Sequence, residues 1–332
     1  MKRLLYLIPL FMLASCGGGG GSDDGPDPPK PTPTETNSNK NDASVVTQLA
    51  GLEFPRIKGG ENNVIITHKT PSYGITYSME WDRSLRAQRW TCYVMNRGNY
   101  ASNGNSRKKL WPDGDPWGYD PTIPMEDQQA TYNELSKSYY PGAATTSDNL
   151  YQKGHICPSG DRLAAKDPNE QTYYMTNIMP MVSKFNSGIW QTMETRLRGW
   201  LGDPDKRTWS NYCDTLFICK GGTIDKSDQI LGYTVASAQV NGEEKAHPGN
   251  HIVPKYFFMA LLAKKGDTYK ALGFWVEHLN EDHSSDPLIN YAVNIDKLEE
   301  LTGIDFFCNL PDNIEKEVEG ASVQTLKSNW GL

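Results

Sequence analysis

Residues 151–198 combine a histidine, an amide, a carboxylate and two cations at short spacings. They are His155, Asn186 and Glu194, with Lys153 two positions before the histidine and Arg198 four positions after the glutamate. A neutral imidazole can take a proton from water near pH 7, because its ordinary pKa lies close to that pH. Oxygen ligands can hold a hard divalent cation on a phosphate, and arginine or lysine can stabilise charge developing on phosphorus. Metal-assisted hydrolysis of a phosphodiester needs these residue types.

Each of these residues also has an ordinary structural interpretation. Asn186 stands just before a helical pattern, where asparagine commonly caps the first turn. Glu194 and Arg198 are four residues apart, which is the spacing of a solvent-exposed ion pair on a helix. A single histidine after a glycine, such as His155, is commonly structural. The interpretation therefore depends on the order and spacing of the whole set.

Local patterns predict the elements that position these residues. Tyr173–Ile178 is rich in strand-forming residues and is predicted to pair with the segment around Lys153–Ile156, which places His155 on a hairpin. Apolar residues after Asn186 recur at helical spacing and predict an amphipathic helix over 187–201. Further helices are predicted at 254–263 and 295–302, and strands at Thr91–Met95, Thr215–Cys219 and Ala271–Glu277.

These elements predict one α+β domain over residues 46–332, with a central, mainly antiparallel sheet flanked by helices. There is no linker-like composition after residue 50 and no internal repeat. A chain of this length can bury a large core. The oligomeric state is not predicted.

Three runs in the chain resemble one enzyme family. They are Lys153-Gly154-His155, Asn177-Ile178-x-Pro180, and Asn186-x-Gly188-x-Trp190-x-x-x-Glu194-x-x-x-Arg198. They resemble the DNA/RNA non-specific endonucleases, which are sugar-non-specific nucleases of the ββα-metal (His-Me finger) class, and are similar to those of endonuclease G. The resemblance extends over about residues 65–315 and includes Leu216–Gly222, Val253–Phe257 and Leu301–Pro311.

This resemblance implies a role for each residue of the set. It implies His155 as the general base and Asn186 as the single direct protein ligand of Mg²⁺, with Mn²⁺ or Ca²⁺ as alternative ions. It implies Glu194 as the residue that orders the metal's waters and Arg198 as a cation near the phosphate. The ββα-metal motif would then lie within the predicted α+β fold.

One cationic position departs from the family pattern, and a second is harder to place. Lys153 stands where the family usually has an arginine, so a point charge replaces a planar group that could contact phosphate with two hydrogen bonds. A further arginine of the family lies upstream, and Arg107 is the candidate. The alternative for Arg107 is a solvated basic loop.

The implied activity is hydrolysis of DNA and RNA to products with 5′-phosphates, by a water that His155 deprotonates. Two other functions remain open at this point. One is a phosphodiesterase for nucleotides or other small phosphodiesters, and the other is a non-catalytic surface protein that binds nucleic acid or a glycan. No protein partner is predicted.

The amino terminus predicts a lipid anchor. Met1-Lys2-Arg3 precedes an apolar run to Leu13 that is too short for a permanent membrane helix, and Leu13-Ala14-Ser15-Cys16 resembles a lipobox. We predict a signal peptide over 1–15, lipidation of Cys16 and a flexible tether over 16–45. These features predict a bacterial envelope protein, lipid-anchored at the outer membrane; an ordinary signal peptide is the alternative.

Net charge and cysteine content limit these interpretations. The chain carries a net charge of −7, which opposes nucleic-acid binding unless a local groove is cationic. The odd number of cysteines after Cys16 predicts an unpaired thiol or an intermolecular bond, and their pairing cannot be deduced from spacing. Cations that could supply the groove are Lys153, Lys184, Arg196, Arg198, Lys206 and Arg207, and the cysteines are Cys92, Cys157, Cys213, Cys219 and Cys308.

Overall fold

The computed structural model describes residues 36–332 except 125–126, 129–137, 204, 207, 235–238, 241–242 and 245–250. The predicted signal peptide, the predicted lipidation site Cys16 and the tether up to residue 35 lie outside the described residues. The described residues form one compact unit. None of the described helices is both long and apolar enough to cross a bilayer.

The strands are numbered β1 to β15 in chain order. They are β1 Asn63–Thr70, β2 Gly74–Asp82, β3 Ala87–Asn96, β4 Tyr151–His155, β5 Ile178–Val182, β6 Gly202–Asp203, β7 Thr208–Trp209, β8 Thr215–Gly222, β9 Ile230–Tyr233, β10 Gln239–Val240, β11 Glu243–Glu244, β12 Ile252–Pro254, β13 Tyr256–Lys265, β14 Thr268–Glu277 and β15 Ala292–Val293.

Seven of these strands form the main sheet, in the order β1-β2-β3-β8-β13-β14-β15. All neighbours in it are antiparallel. The strands predicted at Thr91–Met95, Thr215–Cys219 and Ala271–Glu277 lie within β3, β8 and β14. The predicted α+β fold with a central antiparallel sheet is therefore confirmed.

Both faces of this sheet are buried, and β13 shows how. Phe257, Met259 and Leu261 pack into one hydrophobic cluster, whereas Phe258 and Leu262 pack into a second. The first cluster also holds side chains of β4, β5 and the helix that follows them. The second holds side chains from residues 49–54 and from the helices over 295–302 and 312–319. One face of the sheet thus packs against the elements that carry the predicted site. We call the other face, which packs against the second cluster, the structural face.

The prediction of a helix over 254–263 is wrong, because these residues form β12 and β13. The run from Tyr256 to Lys265 contains Ala, Leu and Met, which favour helices, and has no polar and apolar alternation. A strand buried on both faces loses that alternation, so its pattern cannot be distinguished from that of a buried helix. Burial between two clusters decides the structure of this segment.

The helices surround the sheet at its faces and ends. The helix predicted over 295–302 is confirmed: Asn294 accepts the N–H of Lys297 at its start, and Gly303 ends it with φ 74°. In the part of the chain that the structure describes, the helices are α1 Arg107–Leu110, α2 Lys166–Gln171, α3 Gln191–Leu201, α4 Ile295–Thr302, α5 Asp312–Glu319 and α6 Val323–Trp330.

Residues 36–45, whose composition predicts that they belong to the tether, are part of the packed unit. Asn41 is 4% exposed; its Nδ2 donates to the Pro55 carbonyl at 2.9 Å, and its backbone N–H donates to Asn309 Oδ1 at 3.1 Å. Asn39 Nδ2 donates to Glu315 Oε1 at 2.8 Å. The polar side chains whose composition predicts a tether instead hydrogen-bond the segment to residues 305–315.

The five cysteines within the described residues are free thiols, and all are buried. Burial raises the pKa of the Cys157 and Cys308 thiols to about 12. Buried thiols of this kind are protonated and unreactive at neutral pH. The prediction of an unpaired thiol is therefore confirmed for this part of the chain.

Candidate active site

His155 is the last residue of β4, which pairs with β5 in a separate antiparallel ribbon of two strands. The prediction that Tyr173–Ile178 forms the partner strand is wrong, because β5 begins at Ile178 and pairs it with His155. Pro180 lies inside β5. A proline is tolerated there because no further strand among the described residues pairs with β5 and needs its N–H.

The two strands do not form a hairpin. Residues 156–177 connect them and include α2 and a 3-10 turn at Met175–Asn177. Asn177 braces this connection, since its Oδ1 accepts the backbone N–H of Cys157 and its Nδ2 donates to the Cys157 and Thr172 carbonyls. The strand end that carries His155 is therefore held by a long, hydrogen-bonded loop.

Asn186 lies in a π-helical segment, Phe185–Trp190, that precedes α3. The predicted helix over 187–201 therefore begins later, at Gln191, because Gly188 has non-helical angles (φ −99°, ψ −116°) and kinks the chain. Asn186 is not the helix cap: its Nδ2 donates to Gln152 Oε1 at 2.9 Å. This bond joins the amide to β4.

The His155 ring lies between two aromatic side chains. Its centroid is 5.1 Å from that of Trp117 and 5.1 Å from that of Tyr173. Burial, with a further contribution from the nearby Arg107 charge, lowers the pKa of His155 to about 3. Its Nε2 atom is buried and has no hydrogen-bond partner among the described residues. At neutral pH the imidazole is uncharged, as a general base must be.

Five of the predicted site residues line one pocket of about 320 Å³: Arg107, His155, Asn186, Glu194 and Arg198. Ser159, Gly160 and Trp190 line it as well. The structure thus brings together residues from α1, β4, the π-helical segment and α3. Lys153, the sixth predicted site residue, is not among the residues that line this pocket.

Glu194 is 9% exposed and is not a solvated surface residue. Its Oε1 accepts a hydrogen bond of 2.7 Å from Lys220 Nζ, whereas Arg198 Nη2 is 3.8 Å from its Oε2. Burial raises the pKa of Glu194, and the Lys220 and Arg198 charges partly oppose that rise. Lys220 is fully buried on β8, with Nζ 4.6 Å from the centroid of the Trp190 ring.

Arg198 is held by a buried carboxylate. Its Nε donates to Asp161 Oδ1 at 2.7 Å, and Asp161 Oδ2 accepts from the Tyr93 hydroxyl at 2.9 Å. Asp161 is 3% exposed. The guanidinium lies so close to Gly160 that a Cβ on that glycine would be 2.9 Å from Nη2. Arg198 and Gly160 both line the pocket, so the guanidinium is fixed at its wall.

Arg107 and Lys153 lie on the aromatic side of the pocket. Arg107 is bound to Asp115 by both Nε and Nη2, which raises the pKa of Arg107 and lowers that of Asp115. Lys153 Nζ is 4.8 Å from the centroid of the Trp117 ring. Burial lowers the pKa of Lys153. Arg107 lines the pocket but keeps an exposed side chain, so its role as a cation for the phosphate stays a prediction.

Sequence reasoning missed four residues that hold these groups in place: Gln152, Asp115, Asp161 and Lys220. Only Lys220 leaves a signal, because a lysine inside the apolar run Leu216–Gly222 must find a partner when that strand is buried. The other three are polar residues without a distinctive pattern around them. Nothing in their spacing relates them to the pocket.

The other predicted cations lie elsewhere. Lys206 pairs with Asp203 at 3.0 Å, Arg196 donates to the Gly331 carbonyl, and Lys184 donates to the Asn280 carbonyl at 3.4 Å. Arg207 lies outside the described residues. Of the five described residues among those predicted to form a cationic groove, only Arg198 and Lys153 are therefore placed at the pocket or its edge.

The oxygen donors of the pocket fit a hard divalent cation. Because Asn186 Nδ2 is bound to Gln152, Asn186 Oδ1 is the atom of that amide that a cation can bind. Glu194 Oε2 is too far from Arg198 for a direct hydrogen bond and can accept one from water. One or two oxygen ligands with several retained waters are typical of Mg²⁺. The donor set thus suits the predicted ion.

Known proteins share both the sequence and the fold. A family model described as DNA/RNA non-specific endonuclease matches residues 61–313. A nuclease of Nostoc sp. is 26% identical over 251 residues, which cover 73% of this chain and 75% of the relative. The mitochondrial nuclease EXOG of Homo sapiens is 23% identical over 239 residues, covering 70% and 56%. The nuclease of Serratia marcescens is 21% identical over 264 residues, covering 79% and 81%.

The crystal structure of the EndoG/EndoGI complex contains a chain of similar fold. The TM-score is 0.54 at 18% identity, over 77% of this chain and 91% of that chain. At this identity the structural likeness supports the fold alone, whereas the family model and the named relatives identify an endonuclease. Matched over most of its length by that model, the chain belongs to the DNA/RNA non-specific endonuclease family.

Proposed function

We propose that this endonuclease hydrolyses both DNA and RNA with Mg²⁺ and leaves 5′-phosphates on the products. His155 is the general base, Asn186 is the direct metal ligand, and Glu194 accepts hydrogen bonds from the metal's waters. Arg198 and Arg107 stabilise charge on the phosphate, and Lys153 adds positive potential at the edge of the pocket. The observation that carries the proposal is the environment of His155.

That environment keeps His155 uncharged at working pH. The ring is held between Trp117 and Tyr173, and its pKa is lowered to about 3. Its Nε2 has no partner among the described residues and can accept a proton from water. A structural histidine would be expected to use that nitrogen in a hydrogen bond when buried.

The other residues of the pocket have complementary tasks. A bound Mg²⁺ would neutralise charge on the reacting phosphate and on the departing 3′ oxygen. Asp161 and Asp115 hold the guanidinium groups of Arg198 and Arg107 in fixed orientations. Fixed cations stabilise a developing charge without reorganising at the moment of reaction. Contacts to the phosphate of the nucleic acid do not distinguish one base from another.

Digestion of supercoiled plasmid and of structured RNA by the full-length protein tests the substrate and the base. We expect cleavage of both with Mg²⁺ and of neither with EDTA. His155→Ala should lower the rate by about 10²- to 10⁴-fold. His283→Ala is the matched control, because His283 lies outside the pocket and pairs with Asp286. A near-native rate in folded His155→Ala would show that His155 is not the general base.

The identity of the substrate can be decided in the same assay. Failure of folded, metal-loaded protein to cut either polymer would favour a small phosphodiester substrate or a non-catalytic binding protein. The 5′ ends of the products should accept a kinase-transferred phosphate only after phosphatase treatment. Labelling of the 5′ ends without phosphatase treatment would contradict the proposed cleavage of the bond between phosphorus and the 3′ oxygen.

Metal titration tests the assignment of Asn186. Asn186→Ala should need a higher Mg²⁺ concentration for half-maximal rate, because the direct oxygen ligand is lost. Asn211→Ala serves as the control, since Asn211 is exposed and outside the pocket. If the Mg²⁺ concentration for half-maximal rate is unchanged in Asn186→Ala, Asn186 is not the direct metal ligand.

We also propose that the enzyme is anchored to the bacterial envelope by a lipid on Cys16. The lipobox-like run Leu13-Ala14-Ser15-Cys16 after a short apolar segment supports this location. Labelled fatty acid should be incorporated into the wild-type protein and not into Cys16→Ala. Equal labelling of the two proteins, or release of the wild type into the soluble fraction, would contradict it.

A further inference from the structure

A second group of carboxylates lies far from the active site in the sequence, on α4 and α5. Oxygen atoms of Asp296, Glu299 and Glu319 all lie within 4.8 Å of one another. Asp296 and Glu299 are on α4, and Glu319 is the last residue of α5. Leu298 and Val318 of these helices pack against the structural face of the sheet. The group is therefore separated from the pocket by the sheet.

Glu319 distinguishes this group from an ordinary acidic surface. The residue is only 7% exposed, and its Oε1 is buried without a hydrogen-bond partner among the described residues. Glu299 has one oxygen engaged, since Oε1 accepts the backbone N–H of Phe306 at 2.7 Å. A buried carboxylate oxygen without a donor is costly unless a proton or a cation satisfies it.

The ion pairs found within the described part of the chain leave this negative charge uncompensated. None of them joins a lysine, arginine or histidine to Asp296, Glu299 or Glu319, and the nearby Lys297 pairs with Glu300 instead. Further carboxylates, on Glu315 and Asp305, lie near enough to add repulsion. Asn39 Nδ2 donates to both of these, at 2.8 and 3.3 Å, so they are already occupied.

Two species can satisfy such a group, a proton or a metal ion. Burial and the surrounding carboxylates raise the pKa of Glu319 to about 10 and that of Glu299 to about 7. Protonation of Glu319 would relieve the repulsion among these carboxylates. A divalent cation would relieve the same repulsion and would displace that proton.

We propose that Asp296, Glu299 and Glu319 form a binding site for a divalent cation of the calcium type. Ca²⁺ is bound by oxygen ligands at about 2.3–2.6 Å, so two ligands on opposite sides of the ion are about 4.6–5.2 Å apart. The three oxygens lie within that span. The exposed position of Asp296 leaves room for waters to complete the coordination.

The site joins the start of α4 to the end of α5. Glu315, one turn before Glu319 on α5, is bonded to Asn39, so α5 also holds the segment that begins at residue 36. A cation that fixes α5 would therefore stabilise the attachment of this segment as well as the helix pair. Its role is structural and independent of the proposed nuclease mechanism.

Calcium binding to the full-length protein tests this site. Thermal unfolding at pH 8 should shift to a higher temperature when CaCl₂ replaces EDTA, because only the folded chain presents the three carboxylates together. Isothermal titration with CaCl₂ should detect one more bound calcium in the wild type than in Glu319→Gln. Mg²⁺-supported nuclease activity should be the same in both proteins.

Matched variants make the outcome decisive. Glu319→Gln keeps the shape of the side chain and should lose the calcium-dependent shift, whereas Glu317→Gln, exposed on the same helix, should keep it. In EDTA at pH 8, Glu319→Gln should unfold at or above the wild-type temperature, because the buried acid is removed. Equal calcium binding by wild type and Glu319→Gln would overturn the proposal, leaving protons as the species that satisfies the group.

Discussion

At the scale of single residues, two of the proposed catalytic groups lie in opposite electrostatic environments. The His155 imidazole is held by aromatic rings, which keep it uncharged. The guanidinium of Arg198 is held by a buried carboxylate, which keeps it charged and oriented. One pocket thus combines a site that disfavours positive charge with one that favours it. Such pairs of opposed environments are common where acid–base chemistry occurs.

The low pKa of His155 predicts an unusual pH dependence. With a pKa of about 3, the ring stays uncharged well below pH 6, so kcat/KM at pH 5.5 should be close to that at pH 7 with saturating metal. An ordinary histidine of pKa 6.5 would be about nine-tenths protonated at pH 5.5, and the rate would fall about tenfold. The measurement is kcat/KM between pH 5 and 8. A fall centred near pH 6.5 would contradict the assigned environment.

Gly160 predicts a way to displace Arg198 without unfolding the protein. A Cβ added at Gly160 would lie 2.9 Å from Arg198 Nη2 and 3.3 Å from its Cζ, so the flexible guanidinium must move. Gly160→Ala should therefore lower kcat/KM by about tenfold, as expected when a transition-state contact is weakened. The urea midpoint should change little. Both quantities can be measured on one preparation.

Gly199 provides the matched control for this prediction. It follows Arg198 on α3, and an added Cβ there would meet no atom within 4 Å. Gly199→Ala should keep full activity and gain about 0.5–1 kcal/mol of stability, because alanine favours a helix more than glycine does. Equal losses of activity in the two variants would show that Arg198 is not displaced in the expected way.

At the scale of elements, sequence patterns predict those parts whose burial is one-sided or whose ends are capped. α4 is capped by Asn294 and ended by Gly303, and its predicted bounds are confirmed. The pattern fails for β13, because burial on both faces removes the alternation that identifies a strand. It also fails for β5, where Pro180 lies inside the strand instead of ending it. In both cases tertiary packing overrides a local signal.

The candidate site, too, can be predicted from the sequence only in part. The motif run from His155 to Arg198 predicts which residues line the pocket, because these residues lie on consecutive elements. It cannot predict Lys220, which reaches Glu194 from the central sheet, or Asp161, which reaches Arg198 from a loop. Contacts between distant parts of the chain arise from the fold, and the spacing of residues along one sequence does not indicate them.

Because β4 packs closely on β5, we predict that a side chain larger than that of glycine does not fit at Gly154. A Cβ there would lie 2.4 Å from Met181 Cγ and Sδ and 2.9 Å from the Met179 carbonyl oxygen. Gly154→Ala should therefore destabilise the fold by about 1–3 kcal/mol in urea unfolding and should shift the strand end that carries His155. Gly154→Ala and Met181→Ala in one chain should destabilise by less than the sum of their separate effects, because Met181→Ala removes the side-chain clash together with its own buried contacts. Unchanged stability in Gly154→Ala would contradict the close approach.

At the scale of the whole molecule, the charge distribution is unusual for a protein that acts on nucleic acid. The chain carries a net charge of −7, and acidic residues cluster on the structural face around Glu319. The cations of the pocket, Arg107 and Arg198, lie on the opposite side of the sheet. Nucleic acid is thus attracted by a small local site on an acidic protein, and contacts away from the scissile phosphate should be few.

This distribution predicts a weak dependence of DNA binding on salt. Each phosphate neutralised by a cation contributes about −0.9 to the slope of log K against log salt, so contacts from Arg107, Arg198 and Lys153 give a slope of about −2 to −3. The measurement is the affinity of His155→Ala for a short duplex between about 50 and 200 mM KCl, without divalent ions. Arg198→Ala should reduce the slope by about one, whereas Lys206→Ala, paired with Asp203 on the surface, should leave it unchanged. A slope steeper than about −5 would require a broad cationic surface, and the acidic whole-molecule charge would then not limit binding.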